Sequence, residues 1–138
     1  MASAISEQGD LAYIVRNKPF DSQAIIEFLN HLMTTLKQKL LIVWDNASIH
    51  ASKEVKQFLS TLPKEQLYLA QQPYYAPELN ADEQVWGYLK NHQLKNKCIQ
   101  NSKELHEEID KSMGEMKKKQ DLIPNFFKHP KLGFYNNL

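Results

Sequence analysis

One short segment constrains this chain more than any other: the unbroken apolar run Leu40-Leu41-Ile42-Val43-Trp44, fenced by Gln38-Lys39 on one side and Asp45-Asn46 on the other. It has the length of a strand and falls far short of the roughly 20 apolar residues that a membrane span needs. A strand that is apolar at every position reads as one covered on both faces. The run is therefore predicted to be central in a sheet, with neighbours on both sides.

The flanking periodicity completes an α/β pattern. Residues 11–15 form a short strand candidate that ends at Arg16 and the turn residues Asn17, Lys18 and Pro19. Asp21 or Ser22 then caps a helix whose apolar positions Ile25, Phe28, Leu29, Leu32, Met33 and Leu36 recur at helical spacing. A second amphipathic helix is predicted over 52–61, a strand over 67–70, and helices over 80–94 and 101–119, the last opening on Asn101 and Glu104 at the spacing of a capping box. Pro73 and Pro77 exclude a continuous ladder or helix between 71 and 79, and the tyrosines Tyr74 and Tyr75 between them favour an ordered loop. The tail from 122, interrupted by Pro124, Pro130 and Gly133, is expected to pack against the body along an irregular path.

At 138 residues the chain suits one domain, read as an α/β part over 1–100 and a helical extension over 101–138. Its single cysteine, Cys98, can form neither an internal disulfide nor a cysteine-based zinc site, which fits a reducing compartment. Residues 1–10 lack the basic start and apolar core of a signal peptide, so the cytoplasm is expected and a membrane is not. Seventeen basic and sixteen acidic residues leave a net charge of +1, so any nucleic-acid contact has to come from local patches.

Two places carry candidate chemistry. Asp45 follows the apolar strand, with Asn46 beside it and His50 five residues on; a carboxylate there sits at the rim where ligands gather in open α/β sheets. The same residues equally suit a plain turn, because Asp and Asn bond readily to nearby backbone. Asn80-Ala81-Asp82-Glu83 places two carboxylates in the first turn of a helix, where Asn80 and Glu83 match a capping box, or where one carboxylate could turn inward to hold a hard divalent cation such as magnesium. Further along, Lys90, Lys95 and Lys97 form a loose basic stretch able to contact nucleic-acid phosphates. Arg16 is the only arginine, which argues against base-edge readout.

Taken in order, Ile42-Val43-Trp44-Asp45-Asn46-Ala47-Ser48-Ile49-His50, then Pro73-Tyr74-Tyr75-Ala76-Pro77-Glu78-Leu79-Asn80-Ala81-Asp82-Glu83, then Trp86 and Lys90, resemble a known family. It is the catalytic domain of the mariner-related insertion-sequence transposases, within the DDE endonuclease superfamily. The resemblance is close over 9–90 and looser through a helical continuation ending in Phe126 and Phe127. It implies a ribonuclease-H-like mixed sheet flanked by helices and an acidic triad that holds Mg2+ or Mn2+ while water, and then a DNA 3′ hydroxyl, attacks a phosphodiester. Asp45 matches the second acid and Glu83 the third. His50 matches a recurrent position, and Asp82 stands where an apolar residue is commoner.

In the family the first acid lies on a strand upstream of the region matched here, and neither Asp10 nor Asp21 corresponds to it. The resemblance thus implies an N-terminally truncated catalytic domain, inactive alone, with DNA (transposon ends and target) as substrate. Unpaired sheet edges would invite an N-terminal transposase fragment or a second copy. The competing expectations are a non-catalytic module that binds DNA or associates with a transposase, and an α/β domain in which Asp45 merely ends a strand and Glu83 merely caps a helix.

Overall fold

In the computed structural model, which describes residues 1–137, the chain runs through β1 (Ala2–Ile5), β2 (Leu11–Ile14), α1 (Ser22–Leu36), β3 (Leu40–Trp44), α2 (Lys53–Ser60), β4 (Leu67–Gln71), α3 (Glu83–Tyr88), α4 (Ser102–Lys118) and α5 (Leu122–Phe126). This is the expected mixture of helices and strands. The residues divide into two compact units: Lys18–Pro77 with Met1, and Ala2–Asn17 with Glu78–Leu138. No described helix is long and apolar enough to cross a membrane.

In the first unit, the Asp21 side chain accepts from the Ala24 N–H at 2.9 Å and so starts α1 as its N-cap. Lys37, in the left-handed region at φ 50°, ends the helix, its N–H bonding the Met33 carbonyl. Ser52 caps α2 in the same way, accepting from the Val55 N–H at 3.3 Å. β3 and β4 pair in parallel, from Leu40 opposite Leu67 to Trp44 opposite Gln71. Ile42, Trp44 and Leu67 pack with Phe20, Ile49, Phe58 and other side chains around buried Ile25, Leu29 and Val55. Each such fully buried aliphatic side chain contributes about 1.5–3 kcal/mol.

β3 is not the two-sided central strand that its composition predicts. It forms half of a two-stranded sheet, and Leu41 is 53% exposed. Side chains alternate along a strand, so Ile42 and Trp44 reach the cluster while Leu41 faces away, opposite the exposed Tyr68 of β4. Uniform apolar content does not tell one covered face from two.

In the second unit, β1 and β2 form an antiparallel hairpin, Ala2 opposite Ile14 and Ile5 opposite Leu11. Its turn is clasped by Ser6, whose Oγ donates to the Asp10 carboxylate at 2.6 Å and accepts from the Asp10 N–H at 3.1 Å. Gly9 supplies the φ of 103° that the reversal needs. β1 escapes a propensity reading because Ala-Ser-Ala-Ile has little β character and becomes a strand through its partner. Asn101 caps α4 by accepting from the Glu104 N–H at 2.9 Å, while Glu104 reaches back to the Gln100 N–H at 2.8 Å, one residue beyond the N-cap N–H of the usual capping box.

The helix expected over 80–94 is shorter: α3 opens after Tyr88 into a π-helical turn, Leu89–Gln93. The tail also differs from expectation, since α5 is followed by 3-10 turns over Pro130–Asn137. Pro124 sits in the first turn of α5, where its missing N–H leaves no helical bond unmade. α5 contacts both α3 and α4, and the unit buries Val85, Leu89, Ile109, Met113, Met116, Ile123 and Leu132.

Candidate functional site

Asp45 leaves the end of β3 in a turn whose geometry is set by its own carboxylate. Oδ1 accepts from the Ala47 N–H at 3.0 Å and lies 3.2 Å from His50 Nδ1, which is also 3.1 Å from the Asp45 carbonyl oxygen. Both neighbours of Nδ1 are acceptors, so that ring nitrogen carries the hydrogen. The imidazole stacks flat on Trp44, with centroids 4.4 Å apart and planes inclined by 4°, and its side chain is only 16% exposed. The Asp45 side chain, by contrast, is 58% exposed. One oxygen is thus fixed by the protein and the other is presented outward.

Asn46 ties this turn to the neighbouring strand, its Nδ2 donating to the Gln72 carbonyl. The Gln72 N–H in turn donates to the Trp44 carbonyl at 2.9 Å, carrying the β3–β4 ladder one residue past β4. Asp45, Asn46 and His50 therefore belong to one local constellation, with buried Gln72 as a member that the sequence does not mark. The turn and the candidate site are the same structure.

In the second unit the adjacent carboxylates part company. Asp82 turns inward: Oδ2 accepts from Ser3 Oγ at 2.7 Å and from Trp86 Nε1 at 3.2 Å, and Oδ1 is buried with no hydrogen-bond partner. The residue as a whole is only half-buried, but its carboxyl group is shut away from solvent. Burial pushes its pKa up to about 6 from 3.8, against the two hydrogen bonds and with some help from the charge of Glu83. Glu83 is exposed. One residue is a 100° step around a helix, so when Asp82 shares the inner side with Trp86, four residues on, Glu83 is rotated to solvent.

Asn80 does not form the capping box with Glu83 that its spacing suggests. Its side chain accepts from the Asp82 N–H at 3.1 Å, and its carbonyl accepts from the Glu83 N–H at 3.1 Å. Ser3, which holds Asp82 from 79 residues away, carries no signal in the sequence. Of the three lysines, Lys90 places Nζ 6.0 Å from the centroid of the Trp86 ring, Lys95 is exposed, and Lys97 pairs with Glu108 of α4.

Asp45 and Glu83 both offer exposed carboxylate oxygens, the hard donors that Mg2+ and Mn2+ prefer. The buried carboxyl of Asp82 does not suit a hydrated ion. Among the described residues, no group of three or more His, Cys, Asp or Glu side chains is arranged to hold a metal. A family model described as DDE superfamily endonuclease matches residues 1–106. No curated protein matches the chain.

Proposed function

The chain belongs to the DDE superfamily endonucleases, and on that premise we propose that it is part of a ribonuclease-H-like catalytic domain of a mariner-related insertion-sequence transposase. Its substrate is then DNA, its chemistry phosphodiester cleavage and strand joining, and Asp45 and Glu83 are two of its metal-holding carboxylates. The observation that carries this reading is a family match spanning both acids, one of which is already immobilised with an oxygen facing outward.

Mg2+ or Mn2+, when bound, would supply positive charge to an attacking and a leaving oxygen at phosphorus. The chain's own residues hold the donors for it. The Ala47 N–H and His50 Nδ1 fix the Asp45 carboxylate, and Trp44 holds His50 in plane. Asn46 anchors the turn to Gln72. Asp82, clasped by Ser3 and Trp86, fixes the first turn of α3 so that Glu83 stays outside. Lys90 and Lys95 would meet phosphates, and Lys97 would do so once it leaves Glu108. An N-terminal transposase fragment or a second copy of the chain is the protein partner that this reading proposes.

A manganese titration followed by NMR tests this. Broadening should appear at Asp45 and at Glu83, and the signals of Asn46 and Ala47 should escape it in Asp45→Ala. Broadening scattered over surface acids and indifferent to the substitution would remove the metal role. A second reading, a non-catalytic module that binds DNA or associates with a transposase, is favoured by the two-stranded sheets, whose outer edges offer unpaired backbone among the described residues. Salt-dependent DNA binding that survives Asp45→Ala combined with Glu83→Ala would select it.

A further inference from the structure

The loop that follows β4 presents two aromatic rings to solvent. Tyr75 is 99% exposed and Tyr74 74%, the highest values among the exposed large hydrophobic residues. Tyr75 also adopts φ 56°, a left-handed conformation that a bulky side chain rarely takes. Neither ring belongs to the buried cluster of the first unit. The loop is nevertheless held at its root, because Gln72 is buried, its N–H bonds the Trp44 carbonyl and its own carbonyl receives Asn46 Nδ2. Pro73 and Pro77 stiffen the backbone on either side, so little chain entropy is lost if the rings become covered. Tyr74 lies two residues beyond Gln72, within about 7 Å of extended chain from the peptide that Asn46 grips.

We propose that Tyr74 and Tyr75 form a stacking platform for an unpaired DNA base beside the strand end that carries Asp45. This deepens the DNA reading given above and rests on it. The loop's own segment favours a base face over a phosphate: no lysine or arginine occurs between residues 65 and 89, while Glu78 is acidic. A base inside a duplex has both faces covered, so exposed rings in a segment that carries no cation of its own suit one that is single-stranded or swung out of the stack. Stacking accepts any base, which agrees with a chain that has one arginine and little means of reading base edges.

The test uses the full chain with a short single-stranded oligonucleotide containing 2-aminopurine, and with the fully paired duplex of the same sequence. Binding of the single strand should quench 2-aminopurine. Tyr75→Ala and Tyr74→Ala should each lower the ratio of single-strand to duplex affinity about tenfold, with Tyr75→Phe restoring it, since a stacked base needs the ring and not the hydroxyl. Tyr68→Ala, an exposed tyrosine on β4 outside the loop, should leave the ratio unchanged. An unaltered ratio in Tyr74→Ala and Tyr75→Ala, with the wild type still binding DNA, overturns the platform and leaves the DNA reading standing. Failure of the wild type to bind either oligonucleotide overturns both. Sedimentation showing that the alanine variants lose self-association and not DNA affinity would make the loop a protein contact, and that also overturns the proposal.

Discussion

Asp82→Asn exchanges a buried carboxyl for an amide of the same shape, and the consequence for stability has a definite sign. In the fold the group holds its proton more tightly than in the unfolded chain, with a pKa of about 6 against 3.8. Its stabilising contribution is therefore full below the unfolded value and is lost as pH rises through the folded one. The complete loss corresponds to about 3 kcal/mol, because each tenfold gain in proton affinity is worth about 1.4 kcal/mol. Between pH 5 and pH 8 the linkage relation gives about 1.4 kcal/mol, a factor of ten in the folding equilibrium. The amide does not titrate, so the variant should gain that amount relative to the wild type over this interval, while every other acid cancels in the difference. Urea unfolding with a chelator present, in a Trp44→Phe background so that Trp86 is the sole tryptophan, reads the unit concerned. A difference that stays flat with pH, or that falls as pH rises, would show Asp82 ionised in the fold with its bonds to Ser3 and Trp86 dominating its burial.

Ser112→Ala should raise stability by about 1 kcal/mol in the same assay, because the Ser112 hydroxyl is buried without a hydrogen-bond partner and alanine favours the helix. Val55→Ala should lower the stability of the first unit by about 2–3 kcal/mol, since the side chain is fully buried among Ile25, Leu29 and their neighbours and its loss leaves a cavity. Thermal unfolding followed by Trp44 fluorescence reads that loss. His50→Ala should weaken Mn2+ binding at Asp45 about tenfold, by releasing the carboxylate that Nδ1 orients. An NMR titration that shows unchanged affinity would make His50 a packing residue for Trp44 and nothing more.

What was legible in the sequence was local chemistry. The caps at Asp21 and Asn101 are set by a side-chain oxygen and an N–H three residues on, and both form as their spacing implies. Asp45, Asn46 and His50 could be grouped for the same reason, lying within six residues of one another. What was not legible depended on distant partners. The covered face of β3 is decided by what α1 and α2 bring to it, and β1 exists only against β2. Counting proline as a breaker makes the tail look irregular, yet at the first turn of a helix proline is compatible. Which of Asp82 and Glu83 faces inward is settled by Ser3, a residue with no local mark.

Three breaks of local rules among the described residues sit beside residues that carry candidate chemistry, unlike the buried hydroxyl of Ser112 and the left-handed Lys37. Asp82 is a buried acid next to Glu83, Trp44 keeps its Nε1 buried without a partner next to Asp45, and Tyr75 takes a left-handed backbone in the loop rooted on Asn46. Each works against stability: the acid by about 3 kcal/mol at neutral pH and the strained tyrosine by about 1–3 kcal/mol. Stability alone would favour an apolar residue at 82 and a glycine at 75. The inward acid nevertheless does what an apolar residue would not, since its hydrogen bonds to Ser3 and Trp86 fix the rotation of the helix start and hence the direction of Glu83. Asp82→Leu makes the distinction sharp. If orientation is what Asp82 provides, the leucine variant should be the more stable protein above pH 6 and should bind Mn2+ less well at Glu83; if it gains stability and keeps its Mn2+ affinity, the buried acid has no part in placing Glu83.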